Sequence, residues 1–357
     1  MPSRASPGGE CPVSDQRLED RPAGDVSTPP SATFRHSASL LGRVTDGVSR
    51  FGLPIAWIAV IVIFSILSPQ AFFSASNFQT IFSSQAVLLI LTLGLLPSLA
   101  AGEYDLSVAG VLGVSFVLIG YLNVLHSWPI GWAILVALGL GLLIGLINSF
   151  FIVVVGIESI VVTLGMGTLL AGVGLGINNL SIGGISGSLV NAIRTQVFGL
   201  QLAFFYGLAL TIVLWYVFAY TPLGRYIYFV GTGRNVARLA GIRVNLIRVG
   251  ALVTGSLIGA LAGVVLAGSL GSVDPTTGPS YLLPAFASAF LGSTAITPGR
   301  FNPWGSFIAV YFLVTGITGL EIMGLSGWIE QVFYGGSLVI AVAFSRLAGM
   351  RRVSSGA

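Results

Sequence analysis

Glu103 and Asp105 are the residues of this chain whose type and position most suggest chemistry. Both carboxylates interrupt a long apolar stretch, and ionisable groups in such stretches are costly and usually functional. They could line a transport path in a broken helix, carry protons, or act as an acid and a base. The alternative is structural: a wetted turn in which Asp105 caps a helix that begins near Leu106. The sequence leaves these interpretations open.

A second group of candidates is basic. Residues 225–248, here called the basic segment, contain five arginines and no acid: Arg225, Arg234, Arg238, Arg243 and Arg248. A short helix around Asn235 to Ala240, ended by Gly241 in a left-handed conformation, would place Arg234 and Arg238 on one face, ready to meet acidic groups. The alternative is that these arginines only anchor the chain at anionic lipid headgroups.

Several polar and aromatic residues of the apolar segments are candidates for lining a translocation path. They are Glu103, Asp105, Ser107, Asn148, Thr163, Phe286 and Phe290. Polar residues such as Asn148 and Thr163 more often form hydrogen bonds between membrane helices. The two phenylalanines, four residues apart, could equally well face lipid. Glu158 is interpreted as a charge at the end of a helix.

The composition argues against several kinds of site. All 16 basic residues are arginine, whereas a Walker A phosphate-binding loop needs a lysine. One cysteine and two histidines cannot form a disulfide or a Cys/His metal cluster. A Gly-x-Ser-x-Gly nucleophile motif is also missing from the sequence. We expect no catalytic residue, metal, cofactor or nucleic-acid partner for this chain.

The overall composition is that of a membrane protein. Hydrophobic residues make up 54% of the chain and charged residues 8%, against about 25% charged residues in ordinary soluble domains. Most apolar runs are apolar on every helical face, which disfavours a large soluble protein with buried helices. The sequence therefore predicts an all-α polytopic membrane protein.

The apolar runs predict about ten transmembrane helices, each of roughly 20 residues. They lie at about 53–68, 80–101, 106–125, 129–155, 158–178, 202–220, 249–270, 282–297, 305–320 and 328–346. Six crossings from a cytoplasmic N-terminus return the chain to the cytoplasm at the basic segment. Four more return it there at Arg346, Arg351 and Arg352, in agreement with the positive-inside rule. Arg194, in the predicted outer loop 180–201, is the exception.

The same pattern divides the chain into three parts. Residues 1–50, with six prolines, are predicted to be a disordered cytoplasmic tail because they contain too few apolar groups to form a core. Residues 51–346 are the predicted transmembrane domain, with a loop at 221–248. Residues 347–357 are a predicted cytoplasmic C-terminal tail.

Regularly spaced glycines predict close helix packing. Gly255, Gly259 and Gly263 recur every four residues in the predicted seventh span, and Gly141 and Gly145 do so in the fourth. Small residues at this spacing let helix backbones approach closely. The spacing supports a helical bundle of any function.

Five segments, in order along the chain, resemble one known family. They are Ala101-Gly102-Glu103-Tyr104-Asp105-Leu106-Ser107-Val108, Ser159-Ile160-Val161-Val162-Thr163-Leu164-Gly165, Thr221-Pro222-Leu223-Gly224-Arg225-Tyr226, Ala237-Arg238-Leu239-Ala240-Gly241-Ile242, and Leu291-Gly292-Ser293-Thr294 with Gly299-Arg300. Over about residues 50–346 the chain resembles the permease subunits of bacterial ATP-binding-cassette importers, in the ribose and simple-sugar branch.

The resemblance implies an importer permease fold in the bacterial inner membrane, with both termini cytoplasmic. It also implies three kinds of protein partner: ATPase subunits, a second permease copy or a paralogue, and an extracytoplasmic substrate-binding protein. The cargo it implies is a monosaccharide or similar small polar solute, with nucleosides, autoinducers and branched-chain amino acids still open. The residues it implies for coupling to the ATPase are Arg234, Ala237, Arg238, Leu239, Gly241 and Ile242.

The chain departs from the family pattern at two places. Glu103 stands where the family usually has glycine, so we expect Glu103→Gly to be tolerated in folding. Residues 233–236 read Gly-Arg-Asn-Val where glutamates normally precede the alanine, which suggests an unusually basic surface facing the ATPase.

Two other functions compete with an ATP-driven permease. A proton-coupled secondary transporter would use Glu103 and Asp105 as proton carriers and would need no ATPase. A membrane enzyme would use the same residues as acid and base, but no nucleophile, metal site or cofactor loop accompanies them in the sequence.

Overall fold

The computed structural model describes residues 40–325 and 327–354, and it is built mainly of helices. Fourteen α-helices lie within these residues: α1 Leu40–Leu67, α2 Ala75–Ser84, α3 Ala86–Ala100, α4 Val108–Gly120, α5 Ile130–Ser149, α6 Ser159–Ile177, α7 Gly187–Arg194, α8 Leu202–Tyr220, α9 Pro222–Thr232, α10 Arg234–Leu239, α11 Val244–Leu270, α12 Leu282–Gly292, α13 Pro303–Ile322 and α14 Trp328–Ser354. Two π-helical turns, Tyr121–Leu125 and Phe150–Val155, extend α4 and α5, and a 3-10 turn, Gly278–Tyr281, precedes α12.

The chain is a membrane protein, as predicted. Seven helical segments of the described residues are long and apolar enough to cross a membrane: Ala75–Ala100, Val108–Leu125, Ile130–Val155, Ser159–Ile177, Leu202–Tyr220, Val244–Leu270 and Pro303–Ile322. Two shorter apolar helices, Phe51–Leu67 and Trp328–Ala343, lie near the ends.

The remaining predicted span, 282–297, is helical only as far as Gly292. The hydroxyls of Ser293 and Thr294 donate to the carbonyl oxygens of Phe290 and Leu291, at 2.6 and 2.7 Å. In a continuing helix these carbonyl oxygens would accept hydrogen bonds from backbone amides further along the chain. The hydroxyls compete for them, which favours a turn. With 11 residues, α12 is about 16 Å long, which is about half the thickness of a hydrocarbon core.

The predicted terminal tails fall partly on helices. Residues 1–39, most of the predicted N-terminal tail, lie outside the described residues. From Leu40 onwards the chain is helical, so the last part of that predicted tail belongs to α1. At the other end α14 continues to Ser354, past the predicted boundary at 347.

Two small strand pairs accompany the helices. Strand β1 (Ile182–Gly183) pairs antiparallel with β4 (Ser272–Val273), and β2 (Gln196–Val197) pairs antiparallel with β3 (Leu200–Gln201). In the β1–β4 pair, Ile182 lies opposite Val273. This pair joins the segment after α6 to the segment after α11.

Arg194, the exception to the predicted charge distribution, has a structural partner. Its Nε donates to the carbonyl oxygen of Ser269 at 2.8 Å, at the C-terminal end of α11. The last carbonyls of a helix lack partners within the helix, and the helix dipole favours a cation at that end. Arg194 therefore caps α11.

The core is formed where α11 packs against α3, α4 and α5. Every residue of α3 is buried, as expected of a helix that is apolar on all sides. The predicted glycine face lies at these contacts. A Cβ atom added at Gly259 would be 3.0 Å from the carbonyl oxygen of Val108, and one at Gly263 would be 2.6 Å from that of Leu112. The prediction of close helix packing is confirmed.

This packing leads to a stability prediction. We expect Gly263→Ala to lower the free energy of unfolding by about 1–3 kcal/mol, because the added methyl group forces α11 away from α4. Gly250→Ala, in the same helix, is the matched control: nothing lies within 4 Å of its added Cβ, and alanine favours a helix over glycine by up to about 1 kcal/mol. Thermal unfolding of the two variants in detergent measures the difference. An unchanged midpoint for Gly263→Ala would contradict the prediction.

Candidate functional site

Residues 101–107, between α3 and α4, are not helical and are here called the α3–α4 break. Non-helical backbone within a membrane domain needs hydrogen-bond partners, and hydroxyls of α6 supply them. The amide of Tyr104 donates to Ser159 Oγ at 3.1 Å, and the amide of Leu106 donates to Thr163 Oγ1 at 3.1 Å. Thr163, a predicted path residue, is fully buried and supports this backbone.

Glu103 is buried in the break, with 2% of its surface exposed, and it pairs with two arginines. Its Oε1 lies 2.7 Å from Arg234 Nη2 and also accepts a hydrogen bond from Arg248 Nε. Arg248 is itself only 8% exposed. All ion pairs within the described residues converge on this carboxylate. Glu103 therefore joins the break to α10 and to the first turns of α11.

Two further contacts hold α9 and α10 against the break. Arg234 Nη2 donates to the carbonyl oxygen of Gly102 at 3.1 Å. A Cβ atom added at Gly231, in α9, would overlap the carbonyl oxygen of Ala100. Gly102 has φ 78°, a left-handed conformation that favours glycine.

The position of Glu103 bears on two expectations. Glu103→Gly was expected to be tolerated in folding, but removal of the carboxylate would leave the buried charge of Arg248 without a partner carboxylate. Arg234 was also expected to lie on one helical face with Arg238, ready to meet acidic groups. In the structure the acid that Arg234 meets is the chain's own Glu103.

Asp105 forms hydrogen bonds with Ser107, the residue directly before α4. Its Oδ1 accepts hydrogen bonds from the amide of Ser107 at 3.0 Å and from Ser107 Oγ at 2.6 Å. Asn148 Nδ2, in α5, donates to Ser107 Oγ at 2.8 Å. Asp105 therefore lies just before α4, whose N-cap residue is Ser107, and its carboxylate is fully buried rather than wetted. Ser107 and Asn148 are equally buried, which is the position of packing residues rather than of residues along an open path.

The two phenylalanines of the predicted path have a different position. Phe286 and Phe290 are half-buried, and their rings stack with centroids 6.3 Å apart. The ring of Tyr104, which the sequence analysis did not single out, stacks on Phe290 at 6.4 Å. Leu282, one turn before Phe286, lines a cavity of about 220 Å³ together with Leu106 of the break and residues of α4 and α6. These three aromatic rings therefore form a partly exposed row.

The short helix predicted in the basic segment is present as α10, Arg234–Leu239. It ends as expected: Gly241 has φ 78°, and the amide of Ile242 donates to the carbonyl oxygen of Ala237 at 3.0 Å. Ala237 is fully buried in a small cluster with Val230 and Val244, so it supports α10 from within the chain.

The outer face of α10 is apolar and basic. Leu239 is 89% exposed and Val236 59% exposed, and their spacing of three residues places them on the same helical face. Arg238 lies between them in the sequence and is also exposed. Large apolar side chains this exposed are typical of a surface that contacts another protein or a membrane. Ile242, half-buried, packs against the cluster beneath.

Comparison with known proteins points to transport. The chain is 28% identical to the D-allose transport system permease protein AlsC of Escherichia coli, over 81% of this chain and 89% of that protein. It is 28% identical to the ribose import permease protein RbsC of Haemophilus influenzae, over 84% and 94%. It is 29% identical to the fructose import permease protein FrcC of Rhizobium meliloti, over 90% and 93%. No solved structure matches the chain.

These relatives confirm the resemblance to importer permeases that the five segments indicate. The relatives are transport components rather than enzymes. Residues 77–342 match a model of one protein family, the permease component of branched-chain amino acid transport systems. This match covers the α3–α4 break, the basic segment and the core helices, and the chain belongs to that family.

Proposed function

We propose that this chain is the membrane-spanning subunit of an ATP-driven importer for a monosaccharide or a similar small polar solute. The observation that carries the proposal is the connection through Glu103, which links an exposed short helix, α10, to the break in the membrane domain. Family membership supports a permease role. The names of the relatives, which refer to allose, ribose and fructose, support a sugar as cargo.

We propose ten crossings, with both termini and the basic segment in the cytoplasm of a bacterium, at its inner membrane. In this arrangement α12 and the following segment to Asn302 together make the eighth crossing. A cavity shared by Arg300 of that segment and Arg225 of α9 supports this, since it places both on one side of the bundle. The excess of arginine on that side agrees with the positive-inside rule.

We propose that α10 binds an ATPase subunit through Leu239, Val236 and Arg238. Closure of two ATPase subunits would move α10, and the movement would pass to the membrane domain by two routes. One is the packing of Ala237 on Val230 and Val244. The other is the pair of salt bridges from Glu103 to Arg234 and Arg248. These salt bridges would transmit the movement of α10 to the α3–α4 break and to α11. A bistable membrane domain would then change between inward-facing and outward-facing states.

The aromatic row is the proposed wall of the transport path. Tyr104 lies in the α3–α4 break and stacks on Phe290 of α12, which stacks on Phe286, so the three rings lie together on a partly exposed side of the bundle. We propose that a second copy or a paralogue faces this side, so that the path runs between two subunits. A substrate-binding protein would deliver solute at the opposite membrane surface, near α7 and the β1–β4 pair.

A proton-coupled transporter is not favoured. Glu103 is held in salt bridges with Arg234 and Arg248, and the relatives are named as permeases of transport or import systems. Asp105 is fully buried, and its Oδ1 accepts two hydrogen bonds from Ser107.

Uptake by reconstituted vesicles tests the proposed function. The vesicles should contain the permease, its ATPase and its binding protein, with radiolabelled ribose, allose or fructose outside. We expect uptake of at least one sugar that requires ATP and is unaffected by collapse of the proton gradient. Uptake by the permease alone, abolished by a protonophore, would instead establish a secondary transporter.

A further inference from the structure

A cavity of about 590 Å³ lies where α8, α9 and the start of α13 meet. Its walls include Trp215 near the end of α8 and Trp304 at the start of α13, whose rings meet edge-on at 6.5 Å. Tryptophan is enriched at the boundary between hydrocarbon and water in membrane proteins. Because both residues lie at the ends of membrane-spanning helices, the cavity is at the membrane surface.

Two arginines line this cavity, Arg225 from α9 and Arg300 from the segment before α13. Neither forms an ion pair with an acid of the described residues, since those ion pairs all converge on Glu103. No Asp or Glu is among the lining residues. The cavity therefore has unbalanced positive charge and would attract an anion.

One of these arginines is held in position. The guanidinium carbon of Arg300 lies 5.5 Å from the ring centre of Tyr228, within the range of a cation–π contact. The Tyr228 hydroxyl in turn donates a hydrogen bond to the carbonyl oxygen of Phe301. The ring of Tyr228 restricts the Arg300 side chain before any ligand binds. Binding a ligand therefore costs less side-chain entropy.

We propose that this cavity binds the headgroup of an anionic phospholipid, with Arg225 and Arg300 on either side of its phosphate. Basic cavities between membrane helices on the cytoplasmic side suit such headgroups, and arginine binds phosphate oxygens through two parallel hydrogen bonds. The neighbouring surface of α8 exposes Tyr216 and Tyr220, an apolar surface along which the acyl chains would lie. This inference rests on the proposed cytoplasmic position of α9, but not on which solute is transported.

Lipid retention by the purified full-length permease tests the proposal. Native mass spectrometry would compare phosphatidylglycerol with phosphatidylcholine for the unchanged protein, Arg225→Gln and Arg300→Gln. Arg243→Gln is the matched control, because it removes an equal charge from an exposed arginine outside this cavity. The cation–π contact with Tyr228 is made by Arg300, so the Arg225 variant leaves that contact in place and helps to separate lipid binding from folding.

We expect selective retention of phosphatidylglycerol, reduced about fivefold by each cavity variant and unchanged in Arg243→Gln. Equal retention of phosphatidylcholine, or unchanged retention in both cavity variants, would overturn the proposal. Displacement of the lipid by inorganic phosphate at equal concentration would show a phosphate site instead. If both variants keep the lipid but no longer co-purify with the ATPase, the cavity is a protein-binding surface and the lipid proposal is wrong.

Discussion

Glu103→Gln is expected to lower the free energy of unfolding of this permease by about 3–5 kcal/mol. The main cause is Arg248, which is 8% exposed and would remain as a buried charge without its carboxylate. Arg234 contributes less, because 41% of its side chain is exposed and exposed ion pairs are worth about 1 kcal/mol or less. Chemical or thermal unfolding in detergent measures the loss.

A double variant tests whether the loss of stability in Glu103→Gln comes from the unpaired charge of Arg248. Glu103→Gln combined with Arg248→Met removes both buried charges, and replacing a buried pair by apolar groups is often close to neutral. We therefore expect the double variant to recover most of the lost stability. Glu158→Gln, at an exposed carboxylate before α6, should change little. If Glu103→Gln unfolds like the unchanged protein, the ion pairs do not hold the break to the basic segment.

Leu239→Glu is expected to weaken binding of the ATPase by about 2 kcal/mol or more, a loss of about 30-fold or more in affinity. The side chain is 89% exposed at the end of α10, so its replacement should leave the fold intact. A new carboxylate there would also remove apolar contact area and weaken the positive charge of the adjoining Arg238. Co-purification of the ATPase with the permease measures the effect.

The control for this variant is Phe198→Glu. Phe198 is 96% exposed in the turn between β2 and β3, remote in sequence from α10, so this change also replaces an exposed apolar residue by an acid. We expect Phe198→Glu to bind the ATPase normally. Equal loss in both variants would point to a general effect of added charge rather than to a docking helix.

Local features of this structure could be predicted from the sequence. Spans such as α6 and α8 follow from continuous apolar runs, which suffice because the bilayer sets the length of a helix. The left-handed end of α10 at Gly241 follows from the behaviour of one residue type. The close contact at Gly263 follows from glycine spacing on one helical face.

Long-range pairing could not be predicted in the same way. Glu103 pairs with residues 131 and 145 positions further along the chain, and neither periodicity nor composition indicates which of five arginines it meets. The burial of Ala237 beneath α10 rather than at its surface depends on how α9 and α11 pack. The role of Arg194 likewise depends on the end of α11, 75 residues away.

The stacking of Tyr104 on Phe290 also depends on tertiary packing. The sequence does place Tyr104 between the two carboxylates of the break. That position alone does not indicate a role in the transport path, because an aromatic residue beside a turn has many common structural roles. Its alignment with Phe290 becomes visible only when α12 is placed beside the break.

The most direct test of the account is a photo-crosslink from α10. A photoreactive amino acid would replace Leu239 in the full-length permease, with position 198 as the control, and the protein would be reconstituted with its ATPase and binding protein. We predict an ATP-sensitive crosslink to the ATPase from position 239 and none from position 198. Crosslinks from position 239 only to lipid, in vesicles that still show ATP-driven uptake, would contradict the assignment of α10 as the helix that receives the movement of the ATPase.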